Sequence, residues 1–338
     1  AIACGNTFIL KPSEKVPTAG YRLAELFSEA GLPDGVFNVV QGDQETAGWL
    51  LRHPDIKAAS FVGSTPVARS IYRASGDSGK RVQALGGAKN HAVVLPDADV
   101  ETATNAIMGA AYGSCGQRCM ALSVVVSVGD ETADAVADVL SKKVSGLNIG
   151  PGVDNLDMGP LNSSPQRDRI VGLIQEGVDQ GATILVDGRR HASYQQPGFY
   201  LGGTLFDNVK PGMSIYDEEI FGPVLCLVRV KTAADAMRII NDNQYGNGTC
   251  IFTRDGYSAR TYANEVEAGM VGINVPLPVP VANHSFGGWK DSRFGDLAAY
   301  GPDGVRFYTR RKTITERWSS AADGKGIDFA FPGSRSVG

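Results

Sequence analysis

The sequence predicts an α/β protein of two lobes, each built on a largely parallel sheet. Two observations predict it. From Gly5 to about Leu95, short apolar stretches alternate with helical patterns, the rhythm of a parallel sheet with helices on both faces. A second alternating set follows a change of texture at Pro96-Asp97-Ala98-Asp99. The length of 338 residues has room for two cores.

In the first lobe, Thr7 to Leu10 reads as a strand ended by Lys11-Pro12, and Thr18 to Ala30 as a helix stopped by Gly31-Leu32-Pro33. Val36 to Val40 is strand-like, Thr46 to Leu51 helical and Ala58 to Val62 strand-like, with a helix from about Thr65 to Ala74. Ala84-Leu85-Gly86-Gly87-Ala88-Lys89 reads as a glycine hinge between the lobes. Beyond it a small-residue helical run ends near Ser114, and Ser123 to Val128 is strand-like. Helices are expected over Thr132 to Val144 and Pro165 to Gln180. Strands are expected at Thr183 to Val186, Pro223 to Val230, Gly248 to Phe252 and Met270 to Asn274. Val305 to Thr315 alternates residue types and reads as a last strand, and the Gly-rich stretch after Trp318 as a loose tail.

Composition narrows the function classes. At 43% hydrophobic and 20% charged the chain is ordinary globular protein, and a net charge of −4 with no basic stripe argues against nucleic acid as a partner. No apolar run approaches the roughly 18 residues of a membrane span. Cys4, Cys115, Cys119, Cys226 and Cys250 are an odd, scattered set, which reads as reduced thiols in a cytoplasmic setting. None of the four histidines lies near Cys115 or Cys119 in sequence, so a zinc site or a Cys-His hydrolase has little support, and no metal is expected. The opening Ala1-Ile2-Ala3-Cys4-Gly5 has no Met, and the chain is expected to be a fragment or a processed form.

The most informative residues are Gly116-Gln117-Arg118-Cys119-Met120. They set a cysteine just past a glycine break at the end of a helix, where a thiol can reach a cleft. A cationic neighbour such as Arg118 favours the thiolate, the reactive form. Phe61-Val62-Gly63-Ser64-Thr65 lies where a strand meets a helix; it reads either as a plain N-cap or as a phosphate seat on free N–H groups. Lys11-Pro12-Ser13-Glu14 follows the first strand, where α/β sheets bind ligands, and equally suits a solvated turn. Glu218-Glu219-Ile220-Phe221-Gly222-Pro223 places two carboxylates and an aromatic ahead of a buried strand, as strand-entry charge or as groups aimed into a cleft.

Together and in this order, these segments resemble the aldehyde dehydrogenase superfamily, over residues 1 to about 318; Ser285-Phe286-Gly287-Gly288-Trp289-Lys290 also fits. Within it, Gly116 to Ala121, Ala88-Lys89-Asn90-His91, Asn274 to Pro280 and Phe307-Tyr308-Thr309 are similar to the CoA-acylating methylmalonate-semialdehyde dehydrogenase branch. Hydrolytic members usually carry a Glu, which activates the deacylating water, where this chain has Ala84.

The resemblance implies a partial doubly wound cofactor-binding sheet, then an α/β catalytic domain and a C-terminal oligomerisation strand. It divides the chain as 1–90 for the remaining NAD-binding part and 91–285 for the catalytic domain. Residues 286–318 are then a return segment with the oligomerisation strand, and 319–338 a flexible tail. It makes Cys119 the nucleophile and Arg118 the partner of a substrate carboxylate. Lys11 and Glu14 are placed on the adenosine ribose, Ser64 on a phosphate, Glu219 on the nicotinamide ribose and Phe221 near the nicotinamide ring. NAD is the implied cofactor, coenzyme A the co-substrate, and a small semialdehyde the substrate, oxidised to propionyl-CoA or acetyl-CoA. A homo-oligomer, dimer or tetramer, is implied for the complete protein. A hydrolytic dehydrogenase and a non-catalytic binding remnant are the alternatives, the latter because the family carries a substantial N-terminal portion ahead of Ala1.

Overall fold

The computed structural model describes residues 1–316 and residue 318. The expected tail over 319–338 lies outside the described residues.

The first lobe opens with strand β1 (Phe8–Leu10), helix α1 (Pro17–Glu29), strand β2 (Phe37–Val39) and helix α2 (Gln44–Arg52). Strand β3 (Ala58–Val62), helix α3 (Thr65–Asp77) and strand β4 (Arg81–Leu85) follow. β1 and β2 pair in parallel, as do β3 and β4. The second lobe begins with β5 (Asn90–Val94), α4 (Val100–Tyr112), β6 (Leu122–Val128), α5 (Asp130–Ser145), α6 (Ser164–Asp179) and β7 (Thr183–Val186). It continues through β8 (Thr204–Asp207), the single turn α7 (Ser214–Asp217), β9 (Val224–Val230) and α8 (Ala233–Asp242). β10 (Tyr245–Gly246), β11 (Gly248–Phe252), α9 (Gly256–Glu265) and β12 (Met270–Ile273) complete it. The return segment adds β13 (Trp289–Lys290), β14 (Arg293–Phe294) and α10 (Gly301–Phe307).

The large sheet has seven strands in the order β12-β11-β5-β6-β9-β8-β7, parallel except for the antiparallel edge strand β7. Its central strands are apolar runs without alternation, as expected of a sheet covered on both faces. Val124, Val125, Val126 and Leu225 are fully out of water, each worth about 1.5–3 kcal/mol relative to exposure. The first lobe is different: no residue before Ala68 is buried. The mass of the fold therefore rests on the second lobe.

The candidate residues fall at opposite ends of the strands. Lys11 and Ser64 follow the carboxyl ends of β1 and β3. Asn90, Cys119 and Glu219 stand instead at or before the amino ends of β5, β6 and β9.

Three expectations are corrected. The linking segment expected over 84–89 is shorter than read: Ala84 and Leu85 are strand residues paired with Phe294 and Arg293 of β14, and only 86–89 run between β4 and β5. A Cβ on Gly86 would stand 2.7 Å from the Asp291 carbonyl, and one on Gly87 would stand 2.6 Å from Glu219 Oε2. These glycines serve close packing. The strand expected over Val305 to Thr315 is not formed: Val305 to Phe307 close α10, and 308–315 hold no regular element. Pro302 in the first turn and Arg306 in the last favour the helix, and a strand exists only with a ladder partner, which none of the described residues supplies. Arg81 anchors the segment, donating to the carbonyls of Thr309 and Arg306 at 2.5 and 3.0 Å. Finally, β5 is a central strand that the periodicity did not signal, because it opens with the polar pair Asn90-His91 after Gly86-Gly87-Ala88-Lys89.

Candidate active site

The loop that carries Cys119 is built by the end of α4. Asp99 caps that helix, accepting from the Thr102 N–H at 2.8 Å. After Gly113 three residues in a row, Ser114, Cys115 and Gly116, take positive φ of 52°, 55° and 67°. For the two non-glycines this costs about 1–2 kcal/mol each. Local bonds offset it: the Cys115 thiol donates to the Gly159 carbonyl at 2.8 Å, and Gln117 Oε1 accepts from the Asn162 N–H at 3.1 Å. Burial pushes the Cys115 thiol up to about 11, so it stays protonated and structural. Of the five cysteines, Cys119 is the exposed one; Cys115, Cys226 and Cys250 are buried and Cys4 is half-buried.

Cys119 lines a cleft with Arg118, Gly116, Ala88, Glu219 and Phe221. Its residue surface is open to solvent, yet the protein packed around the sulfur is what raises the thiol pKa most. Its own N–H and that of Met120 act against the rise, and the Glu219 carboxylate adds to it. The Arg118 guanidinium lies beside Gly113, where a Cβ would meet its Nη1 at 2.7 Å, and Arg118 lines the same cleft as Cys119. Two peptide N–H groups are what favours the thiolate against that rise.

The facing loop, 218–222, is held by its carbonyls. Buried Lys89 donates to Glu218 O at 2.6 Å and Ile215 O at 2.7 Å. From α6, Arg169 donates to Ile220 O and Glu219 O at 3.1 and 3.2 Å, and Gln166 reaches Ile220 O at 3.3 Å. Glu219 Oε1 accepts from the Ala88 N–H at 2.9 Å. Burial raises the Glu219 pKa, with that N–H and the charges of Lys89 and Arg169 pulling the other way. Phe221 is exposed at φ 54°, so its ring projects from the loop rather than into the core.

The structure thus brings Cys119, Arg118, Glu219 and Phe221 to one cleft. Lys11, Glu14 and Ser64 stand apart from it, on the first lobe. Lys11 Nζ bonds the carbonyls of Pro12 and Gly42 and lies 3.9 Å from Glu14. Ser64 is the N-cap of α3; its carbonyl accepts from the Ala68 N–H at 2.9 Å, and its side chain makes no capping bond. Ala84 is fully buried and does not line the cleft, whose one carboxylate among the described residues is Glu219.

Sequence reasoning missed Asn90 and Asn247. Asn90 Nδ2 donates to the carbonyls of Cys119 and Ala121, both at 2.9 Å, while its Oδ1 accepts from the Gly248 N–H at 3.0 Å. Asn247 Nδ2 donates to the same Cys119 carbonyl at 2.9 Å. The ladder between β5 and β6 shifts register between Asn90 and His91, the kind of irregularity that re-aims a side chain beside a functional site. Asn90 lay within a quoted segment, but its partners are backbone carbonyls, which leave no mark in a sequence.

A cysteine loop faces a glutamate loop across the amino ends of a parallel sheet on an α/β scaffold, and the chain belongs to the aldehyde dehydrogenase family, whose profile matches residues 1–314. Among curated proteins it is 62% identical over 334 residues to malonate-semialdehyde dehydrogenase of Pseudomonas aeruginosa, covering 98% of this chain and 67% of that one. Among solved structures it is 56% identical to methylmalonate-semialdehyde dehydrogenase of Oceanimonas doudoroffii, with TM-score 0.93 over 95% of this chain and 66% of the other. A Sinorhizobium meliloti relative solved in complex with NAD is 53% identical, also with TM-score 0.93, over 95% of this chain and 66% of that one. The chain therefore spans about two thirds of the length of these relatives.

Proposed function

We propose that this chain supplies the nucleophile and cofactor-contacting residues of an NAD-dependent, CoA-acylating dehydrogenase of methylmalonate or malonate semialdehyde. The lobes divide at residue 90, with 91–285 carrying the reacting thiol and 286–318 returning to the first lobe. The observation that carries the reading is the exposed Cys119 in a cleft whose one carboxylate among the described residues is already engaged by a peptide N–H.

Cys119 as thiolate attacks the aldehyde carbon, forming a C–S bond, and the carbonyl becomes an oxyanion met by preorganised N–H donors. The residues fit NAD: Ser64 leaves the start of α3 open to a phosphate, Lys11 and Glu14 offer ribose contacts, and Glu219 and Phe221 reach the cleft. When bound, NAD supplies the hydride acceptor that lets the adduct become a thioester. A carboxylate on the neighbouring carbon can then leave as CO₂, because the thioester carbonyl takes up the electron pair. Arg118, whose planar fork matches two carboxylate oxygens, orients that group from the cleft wall. The CoA thiol then displaces Cys119 and carries off the acyl group. Water is a poor competitor, since Ala84 offers no base and Glu219 is the one carboxylate lining the cleft among the described residues. The complete protein is proposed to act in the cytoplasm as a homo-oligomer.

Product analysis of the full-length protein tests this. We expect acyl-CoA only when CoA is present, and no acyl transfer from Cys119→Ser. Free acid formed at full rate without CoA would establish the hydrolytic reading, and a Cys119 inert to aldehydes and alkylating agents would leave a binding protein.

A further inference from the structure

We propose that Asn90 and Asn247 together form a polarising clamp on the Cys119–Met120 peptide, and that this clamp sets the acidity of the Cys119 thiol and strengthens the donor that meets its reacting charge. The proposal rests on Cys119 being the nucleophile and adds what tunes it.

The geometry is specific. One carbonyl, that of Cys119, accepts two side-chain amide bonds of 2.9 Å, from residues 157 positions apart at the starts of neighbouring strands. Each amide is fixed elsewhere. Asn90 is buried, and its other bonds to Ala121 O and the Gly248 N–H orient it. Asn247 is buried as well, with Nδ2 at 3.1 Å from Met120 Sδ. Strands β5 and β11, which pair in parallel, thus grip the nucleophile loop at one atom.

The consequence is chemical. The Cys119 carbonyl and the Met120 N–H belong to one conjugated peptide unit. Two donors on the oxygen draw electron density from the nitrogen and make the Met120 N–H a stronger donor; chained hydrogen bonds strengthen one another in this way. The Met120 N–H is one of two peptide groups that favour the Cys119 thiolate, while burial and Glu219 oppose it. The clamp acts through the peptide beside Cys119, whereas the Arg118 guanidinium rests against Gly113. The charged groups lining the same cleft are Arg118 and Glu219; Lys89 lies buried behind the Glu219 loop, and Cys115 is held on Gly159.

Asn247→Leu removes one donor while keeping the branching and heavy-atom count of the side chain. The test is the pH profile of Cys119 alkylation by iodoacetamide, followed by peptide mass spectrometry on the full chain without substrate. We expect the apparent pKa to rise by about half a unit or more, about threefold less thiolate near neutrality, with the high-pH plateau rate unchanged. A loop that had merely loosened would change the plateau and leave the midpoint in place. Asn247→Ser, too short to reach the carbonyl but polar and small, serves as the second variant and should give the same shift. Unmoved midpoints in folded variants overturn the clamp. They would leave Cys119 as nucleophile untouched, whereas absence of any Cys119 alkylation in the parent protein would overturn the nucleophile itself.

Discussion

His91 shows how much of this molecule is decided by single buried side chains. Its ring lies 3.0 Å, through Nε2, from the Tyr216 hydroxyl and is almost wholly buried. Burial first, and then the nearby Lys89 and Lys290 charges, lower its pKa from 6.5 to about 3, against a bond to the Lys89 backbone. The folded histidine therefore stays neutral at pH values where the unfolded one is protonated. Unfolding takes up a proton in that window, so stability present above pH 6.5 is lost as pH falls toward 3. Glu219 acts in the opposite sense: its raised pKa makes its contribution decline as pH rises past the ordinary carboxylate range. Comparing His91→Gln with the parent cancels that background. Urea titrations at about pH 6.8 and pH 5 should show the parent losing more stability between the two than the variant. Equal losses would mean that His91 titrates normally.

At the scale of elements, the cysteine loop and the glutamate loop are held in register by glycines. A Cβ on Gly116, at φ 67°, would collide with the Gly222 carbonyl. Gly116→Ala should therefore destabilise the fold by about 1–3 kcal/mol and slow Cys119 alkylation. Gly109→Ala is the contrast: this glycine sits on α4 with nothing within 4 Å of the new methyl. It should stabilise by about 0.5–1 kcal/mol, the helix-propensity gain, and leave the thiol unaffected. The two results together separate site geometry from helix stability. The same contrast marks what the sequence made legible. α1, α5 and α6 were readable because each is a continuous periodic run. β5 was not, because its opening Asn90 and His91 are polar residues close behind a glycine turn, and only partners far along the chain make them strand. Cys119 and Glu219 were readable as motif residues. The two-donor grip on the Cys119 carbonyl was not, since it depends on β5 and β11 being neighbours in a sheet. The expected strand at 305–315 failed for the same reason in reverse: alternation alone does not provide a ladder.

At the scale of the whole molecule, burial is distributed unevenly enough to predict the order in which the structure opens. The second lobe holds one continuous core running from Ala92 through Ala268. The first lobe has no buried residue before Ala68, and Ile9, Tyr21, Leu23, Leu26, Trp49 and Val62 present apolar surface to water. Its own packing is limited to contacts such as Phe8 stacked on Phe37 at 5.8 Å and Phe27 tilted against Phe37 at 5.0 Å. Local opening free energy follows buried apolar contact. Amides of β1, β2, α1 and α2 should accordingly exchange with solvent well before those of β5, β6 and β9 in native-state hydrogen exchange on this chain. Limited proteolysis should cut first ahead of Ala68 and leave a product that retains the large sheet. The anchor between the lobes makes this a sharp test. The Gly87 N–H donates to Thr65 Oγ1 at 2.8 Å, and Arg69 pairs with Asp291 at 2.8 Å, so α3 is tied to the return segment and should be protected with the core. Uniform protection across β1 to β6 would mean that the first lobe is covered in solution by something that buries its apolar face. Early exchange confined to residues before α3 would place the boundary between weak and strong structure at the helix that begins with Thr65.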